Sequence, residues 1–231
     1  TTAGTGSEVA PFSVLTTPQG RKQSIASESI MARAAFGDAG YTDSLPLPFT
    51  VSTALDALSH AVEGYYSRSG NALSDLYARD AVRLLVPALT SLRDASGIEM
   101  VTPALRDTLY YASVLAGFTL AHCGTCYCHS LGYFLSEEHG VPHGQACAVM
   151  LSDFIRRATR LLPEKAAALE ASVGCTAEEL CGLIESLLSL PEVRLNEQEA
   201  IAIVDRYAGN ANFVRTAPDG YTREEAVSLL T

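Results

Sequence analysis

The chain has 231 residues, of which 48% are hydrophobic and 18% charged, the composition of a folded globular protein rather than a disordered one. Its net charge of −10 and the lack of any basic cluster argue against nucleic acid as a partner, because phosphate binding needs a basic face. No apolar run is long enough to cross a bilayer and no basic stretch leads into an apolar one, so neither a membrane span nor a secretory signal is expected.

The first residues, TTAGTGSE, contain a G-x-G, but no strand precedes it and no strand–helix–strand unit follows, so taken alone it is not a dinucleotide fingerprint. VAPFSVLT (9–16), QSIAS (23–27) and MARAAFGD (31–38) read as short strands separated by turns. From Pro46 and Pro48 onward the pattern becomes helical. Pro48 suits a helix's first turn, and Ala54, Leu55, Leu58, Ala61 and Val62 form an apolar stripe to about residue 66. Asn71 or Ser74 is placed to cap the next helix, within which Pro87 is expected to kink or interrupt the chain.

A segment rich in small residues, 103–121, reads as a helix buried on most sides, and HSLGYFLSEE (129–138) as another. GVPHGQACAVMLSDFIRRATRLL then turns into a further helix. The remainder is a series of short amphipathic helices, with capping boxes expected at Thr176–Glu179 and Thr222–Glu225. Residues 1–45 therefore form a strand-rich segment and 46–231 an all-helical domain, making the chain mainly α. Of six cysteines, Cys123, Cys126 and Cys128 resemble a zinc or redox cluster, but no second C-x-x-C closes a site. They read better as small apolar residues of a reduced, cytoplasmic protein.

Chemistry concentrates in one constellation. Asp56 and His60 are four residues apart, hence one helical turn apart on one face. His129 and His143 follow, the second beside Pro142 and Gly144, where a turn can aim it inward. One carboxylate and three imidazoles suit Fe²⁺, Zn²⁺ or another divalent transition ion better than Mg²⁺ or Ca²⁺. The bland alternative is a satisfied structural pair in a helix. His122 reads as a core residue, and His139 as a loop residue that could relay a proton.

TTAGTGSE at 1–8, STALDALSHAVEGY at 52–65 and HSLGYFLSEEHGVPHG at 129–144 together resemble the iron-dependent (group III) alcohol dehydrogenases. The resemblance implies the all-helical C-terminal domain of the dehydroquinate synthase-like, iron-containing alcohol dehydrogenase fold. It matches the family's metal ligands to Asp56, His60, His129 and His143. Its inter-domain segment maps onto residues 1–45, with Thr1, Thr2, Gly4, Thr5 and Lys22 as cofactor contacts. The family's Gly-rich pyrophosphate loop has no counterpart, so the chain, which begins without methionine, is expected to be the C-terminal portion of a longer enzyme. Where many members carry a further histidine this chain has Tyr133, expected to take over proton donation.

The activity so implied is hydride transfer between NAD or NADP and a small alcohol or aldehyde, by a protein expected to form a homodimer. Glycerol dehydrogenases and dehydroquinate synthases share the architecture and remain alternatives. A helical metal phosphohydrolase would need an adjacent His-Asp pair, which is absent, and a metal-free interaction module is the remaining alternative.

Overall fold

The computed structural model describes residues 2–191, 193–207 and 209–231. Its centre is helix α1 (Leu47–Tyr65), on which Leu55, Ala57, Leu58, Ala61 and Val62 are fully buried. Small residues on every side let α2 (Ala72–Asp94) and α3 (Pro103–Cys123) approach α1 closely, and the three helices pack against one another. Asn71 and Ser74 form a reciprocal cap at the start of α2, and the helix then runs unbroken through Pro87, so the expected interruption does not occur. α3 is capped by Thr102 and stops at Gly124, whose positive φ of 64° ends the helix.

After α3 come α4 (Tyr127–Glu138), α5 (His143–Ala148), α6 (Leu151–Leu161), α7 (Pro163–Val173) and α8 (Ala177–Leu187). α9 (Glu197–Tyr207), α10 (Ala211–Arg215) and α11 (Arg223–Leu230) complete the chain. Both expected capping boxes form, Thr176–Glu179 on α8 and Thr222–Glu225 on α11. Arg157 of α6 donates to the carbonyls of Ala217 (2.7 Å) and Gly220 (2.9 Å), which fixes the C-terminal segment and with it α10. Cys123, Cys126 and Cys128 are buried free thiols in the helical core. Among the described residues no helix is long and apolar enough to cross a membrane.

The N-terminal segment makes one antiparallel hairpin, β1 (Phe12–Thr16) with β2 (Lys22–Ala26), in register Phe12 to Ala26. The third expected strand, 31–38, is irregular chain. Its alternation is weak and β1 and β2 are mostly exposed, so there is no buried sheet face for a third strand to extend.

α5 lies against α1 at Gly144. A Cβ there would overlap the Ser52 carbonyl oxygen, so only glycine permits this approach, and the approach carries His143 to α1. Gly144→Ala is therefore expected to cost about 1–3 kcal/mol through overpacking. The loss would be read as a lower midpoint in urea unfolding, and an unchanged midpoint would show the contact to be slack.

Candidate metal centre

Asp56 projects from the middle of α1 and is 4% exposed. Its Oδ1 has no hydrogen-bond partner among the described residues. It is surrounded instead by three imidazole nitrogens: His60 Nε2 at 3.9 Å, His129 Nε2 at 3.6 Å and His143 Nε2 at 3.7 Å. His129 Nε2 is also buried without a partner. Two buried groups without partners, one of them an acid, are costly unless a cation satisfies them. Donors to a single zinc-like ion stand roughly 3–4 Å apart, given bond lengths near 2 Å. The four residues named from the sequence thus gather around one carboxylate oxygen and could hold a divalent transition ion.

The other ring nitrogens of two histidines are committed. His60 Nδ1 donates to the Gly4 carbonyl at 3.2 Å. His129 Nδ1 donates to Glu63 Oε1 in a short hydrogen bond, while Glu63 Oε2 accepts from the Cys126 amide at 2.7 Å. Each bond leaves Nε2 free to face Asp56, and a carboxylate behind an imidazole also raises its basicity as a ligand. Glu63 was not singled out from the sequence. The signal was there, since it follows Asp56 at i+7 and His60 at i+3 on the same helix face.

Cys147, one turn after His143 on α5, was also passed over. Its buried Sγ lies 3.7 Å from both ring nitrogens of His143. Asp56, His129, His143 and Cys147 form a set whose ligand atoms all lie within 4.8 Å of one another, and His60 stacks on His129 beside it at 4.6 Å.

Electrostatics in the cluster favour positive charge. Burial opposes ionisation of Asp56, but His60, His143 and His129 outweigh it and hold the carboxyl well below its usual range. Burial lowers His60 to about 4, with Asp56 only partly offsetting it. Burial also works against His129, yet Cys147 and Glu63 hold it well above the ordinary imidazole range. Cys147, against burial, raises His143 to about 8. Burial opposes the Cys147 thiolate, but His129 and His143 bring the thiol below its ordinary value. A site that gathers protons in this way will exchange them for a bound cation.

The cluster forms one end of a cavity of about 540 Å³. His143 turns toward that space, its side chain 38% exposed, whereas His60 and His129, which also line it, are nearly buried. The opposite wall is the β1–β2 hairpin, including Phe12, Val14 and Lys22. Asn212 and Arg215 of α10, also unanticipated, line a third side, with Arg215 donating to Asn212 Oδ1 at 3.2 Å. Their helix is too short to show periodicity, so the sequence gives little sign of it.

The remaining expected site residues divide. Thr5, Lys22 and Tyr133 line the cavity. Tyr133 lies nearly parallel to His143, with ring centroids 5.8 Å apart. Lys22 Nζ donates to Thr16 Oγ1 at 2.9 Å. Gly4 does not line the cavity. It is packed beneath, where a Cβ would collide with Thr53. Thr2 is exposed, and Thr1 lies outside the described residues. His139 caps the end of α4, exposed and edge-on to Phe134, away from the cavity lining. Gly140 and Pro142 break the helical register that would have aligned it with His143, so the structure does not bring it to the cluster.

A sequence profile described as the Fe-containing alcohol dehydrogenase family, C-terminal, matches residues 50–231. A 1,3-propanediol dehydrogenase from Citrobacter freundii is 35% identical over 175 residues, covering 75% of this chain and 44% of that protein. Among solved structures, an iron-containing alcohol dehydrogenase from Thermotoga maritima aligns with a TM-score of 0.83 at 33% identity, over 99% of this chain and 60% of that one. A sulfoacetaldehyde reductase from Bifidobacterium kashiwanohense, in complex with NAD⁺, aligns with a TM-score of 0.86 at 28% identity, over 99% of this chain and 62% of that one. The chain thus spans less than half of that curated relative and about three-fifths of the solved ones. With its profile match and its helical architecture together, the chain belongs to the Fe-containing alcohol dehydrogenase family.

Proposed function

We propose that this chain is the metal-binding part of a nicotinamide-dependent dehydrogenase that interconverts a small alcohol and its aldehyde. The observation that carries the proposal is Asp56 Oδ1, buried, unpartnered and surrounded by three imidazole nitrogens. Asp56, His60, His129 and His143 would hold Fe²⁺, Zn²⁺ or a similar ion. The chemistry such an ion supplies when bound is Lewis acidity toward a substrate oxygen.

The protein's own residues bind, orient and manage protons. The cavity is large enough for a small substrate beside a nicotinamide ring, and Phe12, Val14 and Leu120 give it an apolar wall. Burial raises Tyr133 to about 12, so near neutrality it keeps its proton and acts as a hydrogen-bond donor rather than a base. Thr5 and Lys22 are the proposed cofactor contacts on this chain, with Thr1, Thr2 and Gly4 belonging to the same segment. NAD and NADP both fit that role. Residues 1–45 serve as the segment between this helical domain, 46–231, and a dinucleotide-binding unit with which it would act. A homodimer in the cytoplasm completes the proposal, and six free cysteines are in keeping with a reducing compartment.

Three outcomes test it in the enzyme acting with its dinucleotide-binding unit. His60→Ala and His143→Ala should each abolish metal retention, read by elemental analysis after gel filtration, together with turnover. Full metal loading with unchanged activity would remove the assignment. Glu63→Gln should leave the fold intact but weaken metal affinity by about 10–100-fold in chelator competition, because the charge behind His129 is gone. Tyr133→Phe should retain metal and lower kcat by about 10²-fold, with KM changed far less. An unaltered kcat would take the proton-donor role from Tyr133.

A further inference from the structure

Cys147 is left unused by this reading, although its surroundings are those of a ligand. It stands at i+4 from His143 on α5, so both side chains leave the helix on the same face. The face is fixed against α1, because Gly144 packs on the Ser52 carbonyl. Cys147 is fully buried, and its sulfur points at His143, 3.7 Å from each ring nitrogen. With Asp56, His129 and His143 it completes a set of donor atoms mutually within 4.8 Å. Two atoms of that set, Asp56 Oδ1 and His129 Nε2, are buried and without partners. Sulfur and nitrogen donors to one ion, with bonds near 2.3 and 2.0 Å, stand roughly 3.5 Å apart, close to the separation seen here.

We propose that Cys147 Sγ is a thiolate donor to the metal, giving a mixed oxygen, nitrogen and sulfur shell. The proposal rests on the metal reading above and extends it to a residue outside the carboxylate and three histidines. On binding, the Cys147 S–H bond breaks, its proton passes to solvent and the sulfur lone pair forms the bond to the ion, with no change of oxidation state. A soft thiolate tilts selectivity toward Zn²⁺ and Co²⁺ over harder ions. The consequence for function is a less electrophilic ion than oxygen and nitrogen donors alone would leave.

The test is optical and independent of turnover. The protein is stripped of metal and reloaded with Co²⁺, whose visible d–d bands report occupancy and whose near-ultraviolet charge-transfer band reports bound thiolate. The expected result is both bands in the native protein, with the near-ultraviolet band alone lost in Cys147→Ser and Cys147→Ala. In the same variants the preference for Zn²⁺ over Fe²⁺ should fall by about tenfold in competition. Visible bands without a charge-transfer band in the native protein would overturn the sulfur ligand while sparing the metal site. A charge-transfer band that survives in either folded variant would overturn it as well. Failure to bind Co²⁺ at all would overturn the metal reading and this inference with it. A native spectrum without the charge-transfer band overturns the sulfur ligand even if both variants fail to fold.

Discussion

A carboxylate placed inside a helical core is the constraint around which this structure is arranged. Removing Asp56 from water would cost several kcal/mol if it stood alone, far more than one side chain's share of a domain's stability. Two imidazoles close to one of its oxygens, His129 and His143, are held above the ordinary imidazole range and supply the compensating positive charge. The helix that carries it can be central only because its other residues are small and apolar, which lets α2 and α3 close over it. A second acid, Glu63, is completely buried on the same helix and finds its compensation in His129 and the Cys126 amide.

The imidazoles are not equally fixed. His60 is held from behind by the Gly4 carbonyl and His129 by Glu63, so each presents one nitrogen forward in a defined tautomer. His143 has a softer contact to Cys147, lies nearly parallel to Tyr133 and turns part of its surface to the cavity. The cluster is thus held by hydrogen bonds on its buried side and open at His143, where the cavity begins. The bond to Gly4 also ties the first residues of the chain to the site. Gly4 needs no contact with a cofactor to matter there, because its lack of a side chain is what allows the segment to reach α1.

Much of this was legible from spacing. Asp56 and His60 at i,i+4 gave one helix face, and the three quoted segments joined it to His129 and His143. The capping boxes at Thr176 and Thr222 were readable because their chemistry is local. The same spacing logic, applied again, reaches Glu63 from His60 and Cys147 from His143. Both were passed over because an acid or a thiol alone is usually structural, and only packing shows that each faces a histidine. The strand expected at 31–38 failed for a related reason. Strand pairing depends on a neighbour with a buried face, and sequence alternation in so short a stretch does not supply one. Arg215 and Asn212 reach the cavity through the fold of the C-terminal segment, held by Arg157 from sixty residues away, and no local pattern records that.

α4 shows how one helix sets both the chemistry and the shape of the site. His129, Tyr133 and Glu137 recur at intervals of four and so share a face. The first enters the cluster around Asp56 and the second lines the cavity beside His143. The third is nearly buried and accepts from the Lys22 amide at 2.7 Å and from Arg21 at 2.9 Å, while Glu138 takes a second bond from Arg21 at 3.1 Å. Glu137 therefore anchors the hairpin that forms the far wall. Because the hairpin buries little of its own surface, hydrophobic packing cannot set its distance from the cluster, and these charge-assisted bonds do so instead. A turn more or less between His129 and Glu137 would shift the hairpin's anchor by about 5 Å along the helix relative to His129. The width of the site is in this way written into the length of one helix.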